Sequence, residues 1–446
     1  MKKLLTFTAI WSLVLPLAAG ADWPQWRGPE GTGVAPAADP PVRWSETENV
    51  RWKVPIPGRG HAAPIVWGER VYLLTAVPVE GARPPEPPAD ADERTRERWM
   101  RAVHPVEQRF VVMALNRRDG SVAWERTAVE AVPHEGTHRD GTWASASPVT
   151  DGAAVYAQFG SQGLFAYSLD GELLWQRDLG DMSTRNGFGE GASPAVHGDK
   201  LIVNWDHEGD SFIVALDKKT GKTVWQKSRD EITSWSTPLV VEAGERPQVV
   251  VAATGKSRAY DLATGEVVWE AAGMTVNVVP TPVYGHGMVY LTSGFRGSAL
   301  QAVRVAEAKG EVTAGEAVAW THDRDTPYVP SPLLYGDQLY FLKVNSGILS
   351  CLDAKTGKIH FNEQRLVGVR NVYASPVGAD GRVYLVGREG TTVVLEHGPE
   401  YKVLAQNTLD EGFDSSPAVA GEELYLRGSQ HLYCLAEGKK EAAAGS

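Results

Sequence analysis

Three short stretches of this 446-residue chain crowd chemistry-bearing side chains together. His134-Glu135-Gly136-Thr137-His138 matches the pattern H-E-x-x-H, in which two histidines one helical turn apart hold zinc and the glutamate activates a metal-bound water. That chemistry needs both histidines on one helix face. Pro133 before the motif, Gly136 inside it and Arg139-Asp140-Gly141 after it predict instead a loop leading into a strand, which leaves looser metal binding as the better use of the histidines. Asp206-His207-Glu208-Gly209-Asp210 offers three carboxylates, Asp206, Glu208 and Asp210, as oxygen donors for calcium; a solvated acidic turn has the same composition, and only part of a calcium shell is visible. Arg185, Asn186 and Glu190 lie in RNGFGEG, whose Gly187, Gly189 and Gly191 suit either close approach of backbone to a ligand or a plain turn.

What must position these residues is a repeat. A small residue followed by proline opens an alternating apolar run at Ala63-Pro64, Ser147-Pro148, Ser193-Pro194, Thr237-Pro238, Thr281-Pro282, Ser331-Pro332, Ser375-Pro376 and Ser416-Pro417. The prolines fall 84, 46, 44, 44, 50, 44 and 41 residues apart, and a period in the forties built of short strands is the signature of propeller blades. The third unit shows the pattern whole: SPAVHG, KLIVNWD, SFIVALDKKTG and KTVWQK. The expected fold is all-β, an eight-bladed β-propeller of four-stranded antiparallel blades. Before the last strand of a unit, Asp217, Asp261, Asp353 and Asn116 each precede a glycine (Gly221, Gly265, Gly357, Gly120) that closes a hairpin in the left-handed conformation. The outer-strand Trp124, Trp175, Trp225, Trp269 and Trp320 are expected to wedge between blades. The eighth unit lacks its tryptophan strand, and Asn49 to Ile56, with Trp52 at the wedge position, is expected to supply it from the N-terminus.

Propeller geometry puts the segment before each small-Pro pair, and the loop between second and third strands, on one face. That face gathers Arg59 and His61; His134, His138 and Arg139; Arg185, Asn186 and Glu190; Asp206, His207, Glu208 and Asp210; Trp235; Asn277 and Arg296; Tyr328; Arg370, Asn371 and Arg388; Asp410 and Asp414. These residues are the candidates for a charged channel mouth. The insertion at 77–108, with its run PPEPPADADERTRERWM, belongs to the same face as a lid or as a solvated decoration.

Residues 1–21 combine Lys2 and Lys3, an apolar stretch from Leu4 to Ala18 and small residues at Ala19 and Ala21, the composition of a cleaved signal peptide. Export to the periplasm or the exterior is the expectation, with no membrane span. The chain carries a net charge of −11, more negative once the leader's lysines are removed, which disfavours nucleic acid as a partner. Cys351 and Cys434 stand at matching places in blades that are not adjacent and are expected to be two buried thiols. The domain reading is a 22–46 N-terminal arm, a 47–438 propeller and a 439–446 tail.

ALDKKTGKTVW, AYDLATGEVVW and CLDAKTGKIHF resemble the hallmark of the pyrroloquinoline-quinone (PQQ)-like propeller repeat, and the resemblance extends over residues 47–438. It implies one of two functions. As in the BamB-like branch, the ring would be a binding or scaffold module for a protein or small-molecule partner at the mouth, without cofactor. As in the quinoprotein alcohol dehydrogenases, it would hold PQQ and calcium. On that alternative Asp206, Glu208 and Asp210, or Asn186, would hold calcium, and Arg185, Arg296, Arg370 and Arg388 would face the quinone. Trp205 or Trp235 would stack on it, and Asp206 or Asp414 would be the base. Cys351 and Cys434 depart from the adjacent cysteine pair of those dehydrogenases, and the binding module is the expectation carried forward.

Overall fold

A computed structural model describes residues 22–84, 86, 92–93, 96, 103–242 and 246–438. The expected leader, the C-terminal tail and most of residues 85–102 within the 77–108 insertion lie outside the described residues. Eight sheets are arranged as blades, and the third is typical, running Ala195–His197, Lys200–Trp205, Phe212–Asp217 and Thr223–Ser228 in antiparallel order from the axis outward. Middle strands are buried on both faces because each blade is covered by its neighbours. All five residues of Ala154–Gln158 are buried, for example, whereas the outer strand Leu173–Arg177 is exposed at every residue except the half-buried Trp175.

The ring closes as expected. Val50–Pro55 pairs antiparallel with His431–Leu435 and becomes the outer strand of blade eight. Two blades carry a fifth, parallel strand: Gly310–Glu311 outside Val267–Ala271, and Val34–Ala35 inside Val377–Ala379.

The tryptophan wedges act through a repeated contact. The indole N–H of Trp52, Trp124, Trp175, Trp225 and Trp320 donates to the carbonyl of Arg117, Leu169, Lys218, Leu262 and Ala354 at 2.8–3.0 Å. In every case the acceptor is the second residue of the next blade's tight turn. The same ring lies against that turn's glycine, so closely that a Cβ on Gly221 would come within 2.7 Å of Trp175. Gly221, at φ 68°, is therefore demanded by both backbone and neighbour. Asp217 Oδ1 caps the turn by accepting from Lys219 N, Thr220 N and Thr220 Oγ1. Trp269 differs: blade five has no such turn, and its indole donates to Gln248 Oε1 at 3.0 Å. Cys351 and Cys434 are free and buried.

The small-Pro pairs form a hydrogen-bonded belt. The backbone N–H of Ala63, Ser147, Ser193, Thr237, Thr281, Ser331 and Ser375 each donates to the hydroxyl of the next blade's small residue, at 2.8–3.2 Å. The circuit opens between blades eight and one, where Ala63 offers no hydroxyl. There Arg427, 3% exposed, reaches across the seam to the carbonyls of Ala62 and Leu74.

The N-terminal arm crosses the channel. Trp23 exchanges backbone hydrogen bonds with Val66 of blade one, Pro24 accepts from Thr150 of blade two, and Gly33 accepts from Gly378 of blade seven. Arg27, 1% exposed, donates to the carbonyls of Pro332 at 2.7 Å, Pro376 at 2.8 Å and Thr32 at 3.1 Å. Burial without a carboxylate partner pulls its pKa down to about 9, which leaves the guanidinium charged at neutral pH.

Candidate functional site

Strand geometry decides which residues face the axis. Side chains alternate along an extended chain, so the residue two before each small-Pro residue points the same way as it does. His61, Ser145, Gly191, Trp235, Val279, Val329, Tyr373 and Asp414 occupy that place in blades one to eight, and all eight line a single cavity of about 430 Å³. A cavity to which every blade contributes lies on the ring axis. Small residues of the belt line it as well, and Trp26 of the crossing arm forms its floor. Phe188, Phe295 and Tyr328 complete an aromatic wall, with Phe295 and Tyr328 stacked at 4.8 Å.

Charge is concentrated on one side. Arg388 grips Asp414 through Nε and Nη2 of one guanidinium edge, reaches Asp140 at 3.3 Å and lies 4.0 Å from the centre of the Tyr373 ring. Tyr373 in turn donates to Asp140 at 3.3 Å. Burial pushes the Asp140 carboxyl up, but Arg388, with His138 and Arg139, outweighs it and holds the group below the usual range. His61 stands 3.5 Å from Asp414; burial pushes its imidazole down to about 4. None of the lining residues, all of them among the described residues, is a lysine or arginine, whereas Asp140, Glu190 and Asp414 are present.

Of the residues singled out in the sequence, the structure brings His61, His138, Glu190, Trp235, Tyr328 and Asp414 to this cavity, with Arg388 behind Asp414. Others are committed elsewhere. The Asp206 side chain is fully buried against Arg229, at 2.6 and 3.0 Å, and accepts from Ser234 at 2.6 Å. Trp205 is 2% exposed and stacks on Phe212 inside the blade interface. Glu208 accepts from Thr233, Asp210 is exposed, and the three carboxylates of that loop do not converge. Arg185 is half-buried, and Asn186 takes a left-handed turn at φ 54° and is exposed. Arg296 lies over Phe295, and Arg370 is 83% exposed beside Glu389.

Sequence reasoning missed Trp26, Asp140, Phe188, Phe295 and Tyr373. Tyr373 was legible, since it stands two residues before Ser375, as Trp235 stands before Thr237. Trp26 carried no such signal.

The H-E-x-x-H segment is a loop, and its two histidines part company. His138 packs edge-on against Phe188. His134 instead joins Glu135 and Glu190, their ligand atoms lying within 4.8 Å of one another. Burial pushes the Glu190 carboxyl up to about 7, against the pull of its hydrogen bonds from Ser161.

The family model described as outer membrane protein assembly factor BamB matches residues 37–203, 102–231 and 209–443. BamB of Yersinia pestis is 24% identical over 295 residues, 64% of this chain and 66% of its own length, so the chain spans just under two thirds of that curated relative. The crystal structure of BamB from Moraxella catarrhalis superposes with a TM-score of 0.53 at 16% identity, covering 81% of this chain and 99% of the other. Quinohemoprotein alcohol dehydrogenase from Comamonas testosteroni superposes with a TM-score of 0.60 at 10% identity, covering 96% of this chain and 82% of the other. At such identities the likeness concerns the fold.

Proposed function

This chain belongs to the family of the outer membrane protein assembly factor BamB, and from that premise we propose that it is an exported binding and scaffold module whose axial cavity receives a group from a protein partner or a small ligand. One observation carries the reading. The belt position is nearly constant around the ring, Ala, Ser, Ser, Thr, Thr, Ser, Ser and Ser, as packing requires of a repeat. Two residues earlier the ring reads His, Ser, Gly, Trp, Val, Val, Tyr and Asp, different in nearly every blade and all facing one cavity. Variation at a repeat position whose eight members all line a cavity of ligand size is what recognition asks of a repeat scaffold. Export rests on the character of residues 1–21, and no helix among the described residues is long and apolar enough to cross a membrane.

A PQQ- and calcium-dependent dehydrogenase draws less support from the same groups. PQQ is a planar tricarboxylate, and the cavity lining presents carboxylates without lysine or arginine, while Arg388 is already gripped by Asp414 and Asp140. Asp206, the shared candidate for calcium and for the base, is spent on Arg229. The residues present do not fit the group.

Two measurements test the proposal. Calorimetric titration of the mature protein with PQQ, with and without calcium, is expected to give no saturable heat; saturable calcium-dependent binding would return the dehydrogenase to first place. Cross-linking in intact cells should capture a set of partners that shrinks in Trp235→Ala and Asp414→Asn. An unchanged set in both variants would move the binding surface off the axis.

A further inference from the structure

Beside the axial cavity lies a second one, formed mainly by the segments that lead into blades two and three, with about 20 Å³ of free space, enough for one water or one ion. Its lining includes His134, Glu135, Gln158 and Glu190. The first, second and fourth of these form the cluster whose ligand atoms lie within 4.8 Å of one another. Gln158 supplies an independent sign: its side chain is 2% exposed and its Oε1 is buried with no hydrogen-bond partner. An orphaned carbonyl oxygen in a cavity lined also by two carboxylates and an imidazole lacks a positive partner.

We propose that this cavity is a site for a divalent transition ion of the zinc type, held by His134, Glu135, Glu190 and Gln158 Oε1. His134, Glu135 and Glu190 are each braced by a further hydrogen bond, as metal ligands commonly are. His134 Nε2 lies 2.6 Å from the Met182 carbonyl and donates to it, which leaves Nδ1 as the free lone pair. Glu135 accepts from Thr184 N at 3.2 Å and from the Thr184 hydroxyl, and its own backbone carbonyl is held by Trp143 Nε1 at 3.1 Å. Glu190 accepts from Ser161 N at 2.6 Å and Ser161 Oγ at 2.5 Å. It is admitted only because residue 160 is glycine, since a Cβ there would fall 1.3 Å from the carboxylate oxygen. One imidazole nitrogen with three oxygen donors is too few oxygens for calcium and suits zinc, cobalt or manganese. Ligands around zinc at about 2.1 Å stand about 3.4 Å apart, so binding draws this cluster inward by small side-chain rotations. Glu190 lines the axial cavity too, which would set the ion in its wall. The inference rests on blades two and three alone and does not depend on what the axial cavity binds.

The test is calorimetric titration of chelator-stripped mature protein with zinc chloride, beside His134→Asn and Glu190→Gln. Wild type should take up one equivalent, and each variant should bind at least about tenfold more weakly, as loss of a ligand or its support commonly causes. Cobalt should give a visible d–d spectrum that changes in His134→Asn. His134 is exposed, so that variant keeps the test decisive even if Glu190→Gln folds poorly. Absence of saturable binding to wild type, or undiminished affinity in His134→Asn, overturns the site and leaves a water in the cavity.

Discussion

Replacing Arg27 by methionine should loosen the floor of the axial cavity and lower the stability of the whole ring. The guanidinium makes two short hydrogen bonds, to Pro332 and Pro376, and a longer one to Thr32, while its Nε is buried without a partner. Charged hydrogen bonds contribute about 1.5–3 kcal/mol each, so the two short ones supply roughly 3–6 kcal/mol. Against this stands the cost of burying a charge with no carboxylate beside it, which reaches several kcal/mol. Methionine removes that cost along with the bonds but strands two blade carbonyls at about 1–3 kcal/mol each, a range within which we take a net loss of roughly 3 kcal/mol. For a ring that unfolds as one unit, an unfolding entropy of about 2.1 cal/mol/K per residue over about 400 residues converts this to a fall of about 3–4 °C. Scanning calorimetry reads the fall, and limited proteolysis reads the arm, which should be cut between residues 22 and 46 in the variant sooner than in wild type. A variant that melts with wild type and keeps a protected arm would mean that desolvation cancels the bonds and that Arg27 does not hold the floor.

Ala63→Ser should complete the belt and raise stability by about 1 kcal/mol, whereas Ser193→Ala should cost about 1–3 kcal/mol by stranding the Ser147 N–H; equal melting curves for the two would refute the circuit. His61 gives a pH dependence: its folded-state pKa of about 4 lies below the ordinary 6.5, because burial, with Arg427, Arg59 and Arg388, outweighs Asp414. The neutral form is the one that fits the fold, so stability is intact above pH 6.5 and falls as pH drops toward 4, by about 2 kcal/mol at pH 5. Denaturant curves of wild type and His61→Asn should converge accordingly on acidification, and a constant gap between them would contradict the assignment. Trp225→Phe should cost about 1–2 kcal/mol by leaving the Leu262 carbonyl without its donor, read by chemical denaturation against a Trp225→Tyr control; no loss would mean that the wedge acts by volume alone. Deleting residues 22–56 should abolish cooperative melting, and an unchanged melting temperature would refute closure by the N-terminal strand.

The ring was legible because packing repeats. A small-Pro pair recurs in all eight blades, and a wedge tryptophan and a turn glycine in most of them, so the need is written repeatedly in the chain. The site was legible only where it borrowed that framework: Trp235 and Asp414 could be placed from their distance to the belt, and Tyr373 by the same count. The course of the arm across the channel was not legible. Arg27 finds its partners 305 and 349 residues away, and they are backbone carbonyls, which leave no mark in a sequence. Asp206 shows the opposite difficulty. Its carboxylate reads as a ligand until Arg229, on another strand, is seen to neutralise it.

The closing strand also sets when the protein can fold. Arg51 meets Glu423 across 372 residues of chain, and joining ends so far apart costs about 5 kcal/mol of loop-closure entropy beyond a constant term. Synthesis delivers Val50–Pro55 first and its partner His431–Leu435 last. Throughout translation this strand therefore waits as an open edge, and no length of chain short of His431–Leu435 possesses a native blade eight. Closure of the ring is therefore a late event, and any chain stalled short of its final hairpin carries two open strand edges.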